Sequence, residues 1–173
     1  MAKAIITGAS SGLGEAIAKL LSSKGFEIVL IARSKEKIKS VKNSIISDGG
    51  QCISFEIDLG CDSSLELLSE SISSFKDVSL LVNNAGCGFF GPIEEISIDS
   101  WDQQFNINVR ASFLLSKMVL PCMKKNKTGS VVFINSVAGL QNFIYSSAYV
   151  ASKLALRDFA GSLREELREY GIK

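Results

Sequence analysis

Histidine is absent from this 173-residue sequence, which removes the usual serine-hydrolase base, most zinc ligand sets and the commonest proton shuttle at neutral pH. Acid–base chemistry must therefore use other groups, and no metal is expected. The four cysteines, Cys52, Cys61, Cys87 and Cys122, stand far apart without a C-x-x-C pair, which argues against a zinc ribbon or a redox dithiol. They read as buried or half-buried thiols. No run approaches the ~20 apolar residues that a membrane span needs, and the N-terminus enters an apolar stretch without a signal-peptide pattern. A cytoplasmic protein with no membrane partner is expected. An excess of one charge is lacking too: 19 Lys and Arg against 18 Asp and Glu leave a net +1, with no broad attraction for nucleic acid. The expected partner is a small molecule.

What the sequence does contain is a composition, 46% hydrophobic and 21% charged, suited to one globular domain over residues 1–173. Short apolar, β-branched runs at Ala4–Thr7, Phe26–Ala32, Cys52–Ile57, Val78–Val82 and Ser130–Asn135 predict strands, separated by segments of helical character. Runs apolar nearly throughout suit a parallel sheet covered by helices on both faces, a doubly wound α/β fold. In the first intervening helix Leu13, Ile17, Leu20 and Leu21 recur at helical spacing, and Gly25 stands where a cap would end it. Two longer helices are expected at Ser100–Met123 and Ser147–Tyr170, with Phe105, Val109 and Phe113 on the first and Leu156, Phe159, Leu163 and Leu167 on the second. Those stripes suit the sheet or another subunit.

Between the first strand and first helix lies Thr7-Gly8-Ala9-Ser10-Ser11-Gly12-Leu13-Gly14. Glycines there permit a tight turn and close approach to a pyrophosphate, and the helix start offers unpaired N–H groups and a positive dipole end. The T-G-x-x-x-G-x-G spacing resembles that of short-chain dehydrogenases/reductases. The likeness continues at Asn83-Asn84-Ala85-Gly86, at Asn108 seven residues beyond Trp101, and at Ser136, thirteen residues before a Y-x-x-x-K pair formed by Tyr149 and Lys153. It extends over essentially the whole chain and implies a Rossmann sheet of strand order 3-2-1-4-5, with Gly8, Ser10, Ser11, Gly12, Leu13 and Gly14 cradling a dinucleotide. Asn83, Ala85 and Gly86 would line its adenosine-ribose side, while Asn84 suits a structural role equally well. Asp58 matches the family carboxylate that meets the adenine amino group, and capping the following turn would equally account for it.

NAD-selecting sites place an acid near the end of the second strand, where it binds the adenosine ribose. Here that neighbourhood reads Ile31-Ala32-Arg33-Ser34, and the guanidinium of Arg33 suits a 2′-phosphate that a carboxylate would repel. NADP(H) is expected to be preferred over NAD(H), with Lys35 and Lys37 adding charge. Ser11 stands where many NADP-preferring relatives carry a second basic residue. Arg33 also speaks against a methyltransferase, which uses a similar turn but wants an acid after the second strand.

Carbonyl reduction needs hydride at carbon and a proton at oxygen, and the protein must supply the proton. With no histidine, the phenol of Tyr149 is the fitting donor. Lys153, four residues on, shares its helix face, and an ammonium there favours the phenolate. By resemblance Lys153 and Tyr149 also contact the nicotinamide ribose. Ser136, beyond the fifth strand, can donate to the substrate oxygen, and Asn108 would hold a water against Lys153. The substrate would be a small carbonyl or alcohol. The segments Cys87–Phe90 and Leu140–Tyr145 can border its pocket, and the long helices would pair in a homodimer or homotetramer.

The family core continues with a sixth strand, a P-G turn and a substrate-covering segment, whereas this chain ends at Gly171-Ile172-Lys173, with prolines only at Pro92 and Pro121. The likeness thus implies an open apolar edge along Val131–Ile134 and a weaker grip on substrate. A catalytically silent dinucleotide-binding or dimerising module is the alternative to an active reductase.

Overall fold

The computed structural model describes residues 1–173. Each predicted run forms a strand: β1 (Lys3–Thr7), β2 (Glu27–Ala32), β3 (Cys52–Glu56), β4 (Val78–Asn83) and β5 (Ser130–Phe133). All pair in parallel, in the order β3-β2-β1-β4-β5. Helices α1 (Gly12–Ser23), α2 (Lys35–Ser47), α3 (Asp62–Ser73), α4 (Ile98–Phe105), α5 (Ala111–Asn126) and α6 (Ser147–Leu167) fill the connections. No helix is long and apolar enough to cross a membrane.

Successive strand residues point to opposite faces, so a strand covered on both sides must be apolar at every position. Ile5, Val29, Ile31 and Leu81 enter one core with Leu65 and Leu68 of α3 and Leu115 and Val119 of α5. Ala4, Ile6, Ile28 and Leu30 enter the other with Ala18 of α1 and Ile38, Val41 and Ile45 of α2. The chain crosses from β3 at one edge to β4 on the far side of β1, so a crevice opens at the carboxyl ends of β1 and β4. Open α/β sheets bind ligands at such a switch point.

Three details add to or differ from what the sequence predicts. On α1, Leu13 and Leu20 face outward, 55% and 58% exposed, and Gly14 and Ala18 face the sheet. Small residues let the helix lie close to the turn it follows. Gly25 does end this helix: at φ +86 it donates to Ser22 while Phe26 donates to Leu21, which satisfies two terminal carbonyls. The predicted helix 100–123 is two α-segments joined by one π-turn at Asn106–Arg110, and Pro121 sits inside α5 without ending it. Third, the outer edge of β5 is met at one point, where Val131 donates to the Lys173 carbonyl and Lys173 to that of Gly129. The rest of the edge is open, with Val132 40% exposed.

Candidate active site

Two adjoining cavities cross the carboxyl ends of the strands. The larger, about 490 Å³, is lined by Gly8, Ser10, Ser11, Arg33, Lys37, Asp58 and the Asn84–Cys87 segment, among others. The smaller, about 290 Å³, shares Asn84, Gly86 and Cys87 with it and adds Phe90, Ile134, Asn135, Tyr149 and Lys153. A separate cavity of about 430 Å³ lies between α3 and α5 and holds none of the catalytic or cofactor-binding residues predicted from the sequence.

The turn after β1 is held from below by Thr7. Its hydroxyl accepts from the amides of Asn84 and Ala85, both at 2.9 Å, and Asn84 Nδ2 donates to the carbonyls of Thr7 (2.9 Å) and Gly8 (3.3 Å). The β1 and β4 ends are thereby locked together. Gly8 takes φ +61, and a Cβ on it would lie 3.0 Å from Ala85 Cα; one on Gly14 would lie 2.4 Å from the Gly8 carbonyl oxygen. Ser11 is the N-cap of α1 but makes no side-chain cap, so the first amides of the helix remain available to an anion. An uncapped, partly positive helix start beside a glycine turn and a cation at Arg33 fits a dinucleotide phosphate chain. Of the predicted cradle, Gly12, Leu13 and Gly14 line neither cavity, and Leu13 is exposed.

At the far end of this cavity Arg33 follows β2 directly, exposed and next to Lys37. Lys35 does not reach the cavity; it lies 3.9 Å from Glu56. Asp58 both lines the cavity and accepts from the Gly60 amide at 2.9 Å, so each of its two sequence readings has a counterpart.

Tyr149 and Lys153 project from one face of α6 into the smaller cavity, with Lys153 Nζ 5.9 Å from the phenol ring centroid. Lys153 is buried and donates to the Ile134 carbonyl at 3.1 Å; burial holds its pKa below the ordinary lysine value of 10.5. Phe90 packs edge-on against Tyr149, centroids 5.3 Å apart. Cys87 lies between the cavities, its thiol pushed up by burial against the pull of Arg33 and Lys153. Ser136 Oγ accepts from Ala138 N at 3.2 Å, a bond that uses a lone pair and leaves its O–H to donate.

Several residues stand differently from the sequence reading. Asn83 does not line either cavity: its side chain turns inward, 97% buried, since β4 alternation sends position 83 to the face of Leu81, and neither amide atom has a partner. Its neighbour Asn84 takes the cavity position. Asn108, expected to reach Lys153 through a water, makes its direct side-chain bonds to Cys87 and Ser152. It is fully buried, its Oδ1 accepting from Cys87 N and its Nδ2 donating to Cys87 O and Ser152 Oγ, all at 2.9 Å. Gln104, one helical turn earlier and also fully buried, accepts from Phe89 N at 3.0 Å. The two amides thus staple the 87–89 backbone, and the π-turn re-phases the helix so that Asn108 meets this loop while Ala111 and Leu115 meet the sheet. Sequence reasoning passed over Gln104 and over Asn135, which donates to the Lys153 carbonyl (3.2 Å) and accepts from Ser136 N (2.8 Å). Only the four-residue interval from Gln104 to Asn108 could have marked the first; nothing marks the second.

Asn108→Ala is expected to lower the unfolding free energy by about 2–4 kcal/mol, because a buried donor and acceptor on Cys87 lose their partners together. Urea denaturation reads this directly, and a loss below about 0.5 kcal/mol would mean that the loop finds other partners.

Comparison with known proteins gives a consistent picture. The family model described as short chain dehydrogenase matches residues 2–173. A short chain dehydrogenase of Pseudocercospora fijiensis is 35% identical over 172 residues, covering 98% of this chain and 56% of that protein. Dehydrogenase/reductase SDR family member 7 of Mus musculus is 36% identical over 170 residues, covering 95% of this chain and 50% of that protein. The chain thus spans about half the length of these two relatives. The crystal structure of a metagenomic short-chain oxidoreductase in complex with NADP superposes with a TM-score of 0.94 at 35% identity, over 99% of this chain and 79% of that one.

Proposed function

This chain belongs to the short-chain dehydrogenase family, and from that premise we propose that it transfers a hydride between NADP(H) and a small carbonyl or secondary alcohol, with Tyr149 as general acid and base. The observation that carries the proposal is a pair of adjoining cavities, joined through Asn84, Gly86 and Cys87, with the glycine turn and Arg33 lining one and the Tyr149–Lys153 pair lining the other. A bound nicotinamide would supply the hydride chemistry. The protein's part is to hold, orient and protonate.

In the reducing direction Tyr149 gives its phenolic proton to the carbonyl oxygen and Lys153 stabilises the phenolate left behind. Ser136 donates to the same oxygen as negative charge develops on it. Asn135 sets the spacing of Ser136 from Lys153, and Lys153 keeps N–H donors beyond the one spent on Ile134 for ribose hydroxyls. Gly8, Ser10, Ser11, Gly12 and Gly14 serve the pyrophosphate, and Asp58, Ala85 and Gly86 the adenosine. Supporting NADP(H) over NAD(H) is the placement of Arg33 and Lys37 without a carboxylate at the end of β2. A two-fold homodimer or homotetramer belongs to the same reading, supported by the apolar surface of the long helices, where Phe113 is 46% exposed and packs on Phe159.

Titration with NADPH and NADH, followed by nicotinamide fluorescence, tests the cofactor assignment. Arg33→Ala is expected to weaken NADPH binding ~10- to 100-fold by removing a charge-assisted pair, with NADH affected less than threefold or so. Equal losses for both dinucleotides would remove Arg33 from the phosphate site, and no binding of either would overturn the function.

A further inference from the structure

The loops around the smaller cavity share a chemical bias that the proton-transfer residues do not explain. From Val78 to Ile93, and again from Thr128 to Ser152, the sequence has no charged residue. These segments supply every residue of the smaller cavity except Lys153, which is buried and already donating to Ile134. Beyond the cavity the first charges met on the earlier loop are Glu94 and Glu95, which repel anions. Arg157, on α6 behind the later loop, is engaged by the Gly139 carbonyl and the Asp158 carboxylate.

The same loops hold apolar side chains out in solvent. Phe90 is 62% exposed, Leu140 75%, Ile144 79% and Tyr145 57%. Apolar side chains grouped in this way mark a binding surface. The two loops are one surface, since Gly91 N donates to the Tyr145 carbonyl at 2.8 Å, and Tyr145 takes φ +58, a conformation side chains rarely adopt, to make that join. Phe90 is the member that reaches the reacting end, edge-on to Tyr149.

Resting on the oxidoreductase reading above, we infer that the substrate is a neutral ketone, or its alcohol, bearing an aromatic or alicyclic substituent that seats on Phe90 with its oxygen toward Tyr149. A carboxylate or phosphate on the substrate would find no cation in this cavity other than Lys153, which is buried, bonded to Ile134 and committed to Tyr149 and the cofactor, and a polyhydroxy chain would strand hydroxyls against Phe90. An aromatic or alicyclic group instead removes exposed apolar surface from water at no polar penalty.

Calorimetry on the complex of the full chain with NADP+ tests this without requiring turnover. The probes are propiophenone, its 4-carboxylate and a hexulose. Propiophenone is expected to bind at least about tenfold more tightly than either of the others, and Phe90→Ala to reduce its affinity ~10- to 100-fold. Phe90→Lys, which adds an uncommitted cation to the cavity, is expected to reverse the order of propiophenone and its carboxylate. Tighter binding of the carboxylate or the hexulose by the unaltered complex, undetectable binding of propiophenone, or indifference to both Phe90 variants would overturn the inference while the cofactor assignment stands. Failure to take up NADP+ would overturn the cofactor assignment, and this inference with it.

Discussion

Tyr149→Phe is expected to lower ketone turnover by about 10²- to 10⁴-fold while NADPH still binds with an affinity changed by less than about tenfold. The phenol lies in the smaller cavity and the phosphate turn lines the larger one, so removing a hydroxyl at one end leaves the other intact. With no histidine in the chain, the other acids lining this cavity are the Lys153 ammonium, held by the Ile134 carbonyl, and the Cys87 thiol, whose proton burial holds more firmly. Lys153→Met is expected to lose turnover and affinity together, which separates the proton donor from the residue that also grips cofactor. A pH series adds an independent reading. Burial disfavours the charged form of Lys153, so its folded pKa lies below 10.5 and the ammonium is lost earlier on the alkaline side than from an ordinary lysine. Rate should fall as pH rises through that folded value. Stability should move the other way: between the folded value and 10.5 the unfolded chain binds more protons at this site, so this lysine's contribution to folding stability rises with pH. Parallel rate and stability curves on the alkaline side would point to unfolding rather than to loss of the ammonium. NADPH binding with turnover unaffected by Tyr149→Phe would assign the proton to another group. Binding with no turnover by the unaltered chain would leave a dinucleotide-binding module.

The sheet was legible because burial on both faces forces apolar residues at consecutive positions, and no other element of this length shows that pattern. Its strand order followed from likeness, not from composition. The glycine turn and the Tyr149–Lys153 pair were legible because their chemistry depends on interval along one element, which the sequence displays. Asn83 and Asn84 illustrate the limit. Adjacent identical residues at a strand end face opposite ways, and a one-residue register decides which meets the ligand. Leu13 and Leu20 illustrate another, since periodicity counts large apolar residues whereas the close face of α1 is built from Gly14 and Ala18. Asn108 was found, but the partners it holds were not, because the π-turn that aims it at Cys87 leaves no mark in the spacing of Phe105, Val109 and Phe113. Gln104 and Asn135 act through backbone atoms of loops far away in sequence. Their roles exist only after folding has brought those loops to them.

Gly14→Ala provides the sharpest test of the turn, because the usual rule for a helix predicts the opposite sign. Alanine in place of glycine inside a helix stabilises by about 0.5–1 kcal/mol through a smaller loss of backbone entropy. Gly161, exposed in α6 with open space where a Cβ would stand, should follow that rule when replaced by alanine. At Gly14 the same methyl would lie 2.4 Å from the Gly8 carbonyl oxygen and 2.6 Å from Asn84 Nδ2. Neither neighbour can yield cheaply. Gly8 is fixed by its left-handed backbone and Asn84 by its bonds to the carbonyls of Thr7 and Gly8, so helix α1 must back away from the turn. The overpacking is expected to destabilise the fold by about 1–3 kcal/mol. Because the displaced helix start carries the free amides, NADPH affinity should fall by about 10- to 100-fold, the equivalent of roughly one hydrogen bond to a charged phosphate. Thermal or urea unfolding of the two variants beside the unaltered chain gives the signs, and NADPH titration gives the site. Stabilisation by Gly14→Ala with undiminished NADPH binding would mean that the turn tolerates a wider helix approach, and that cofactor is held by Arg33 and the strand ends without the cradle.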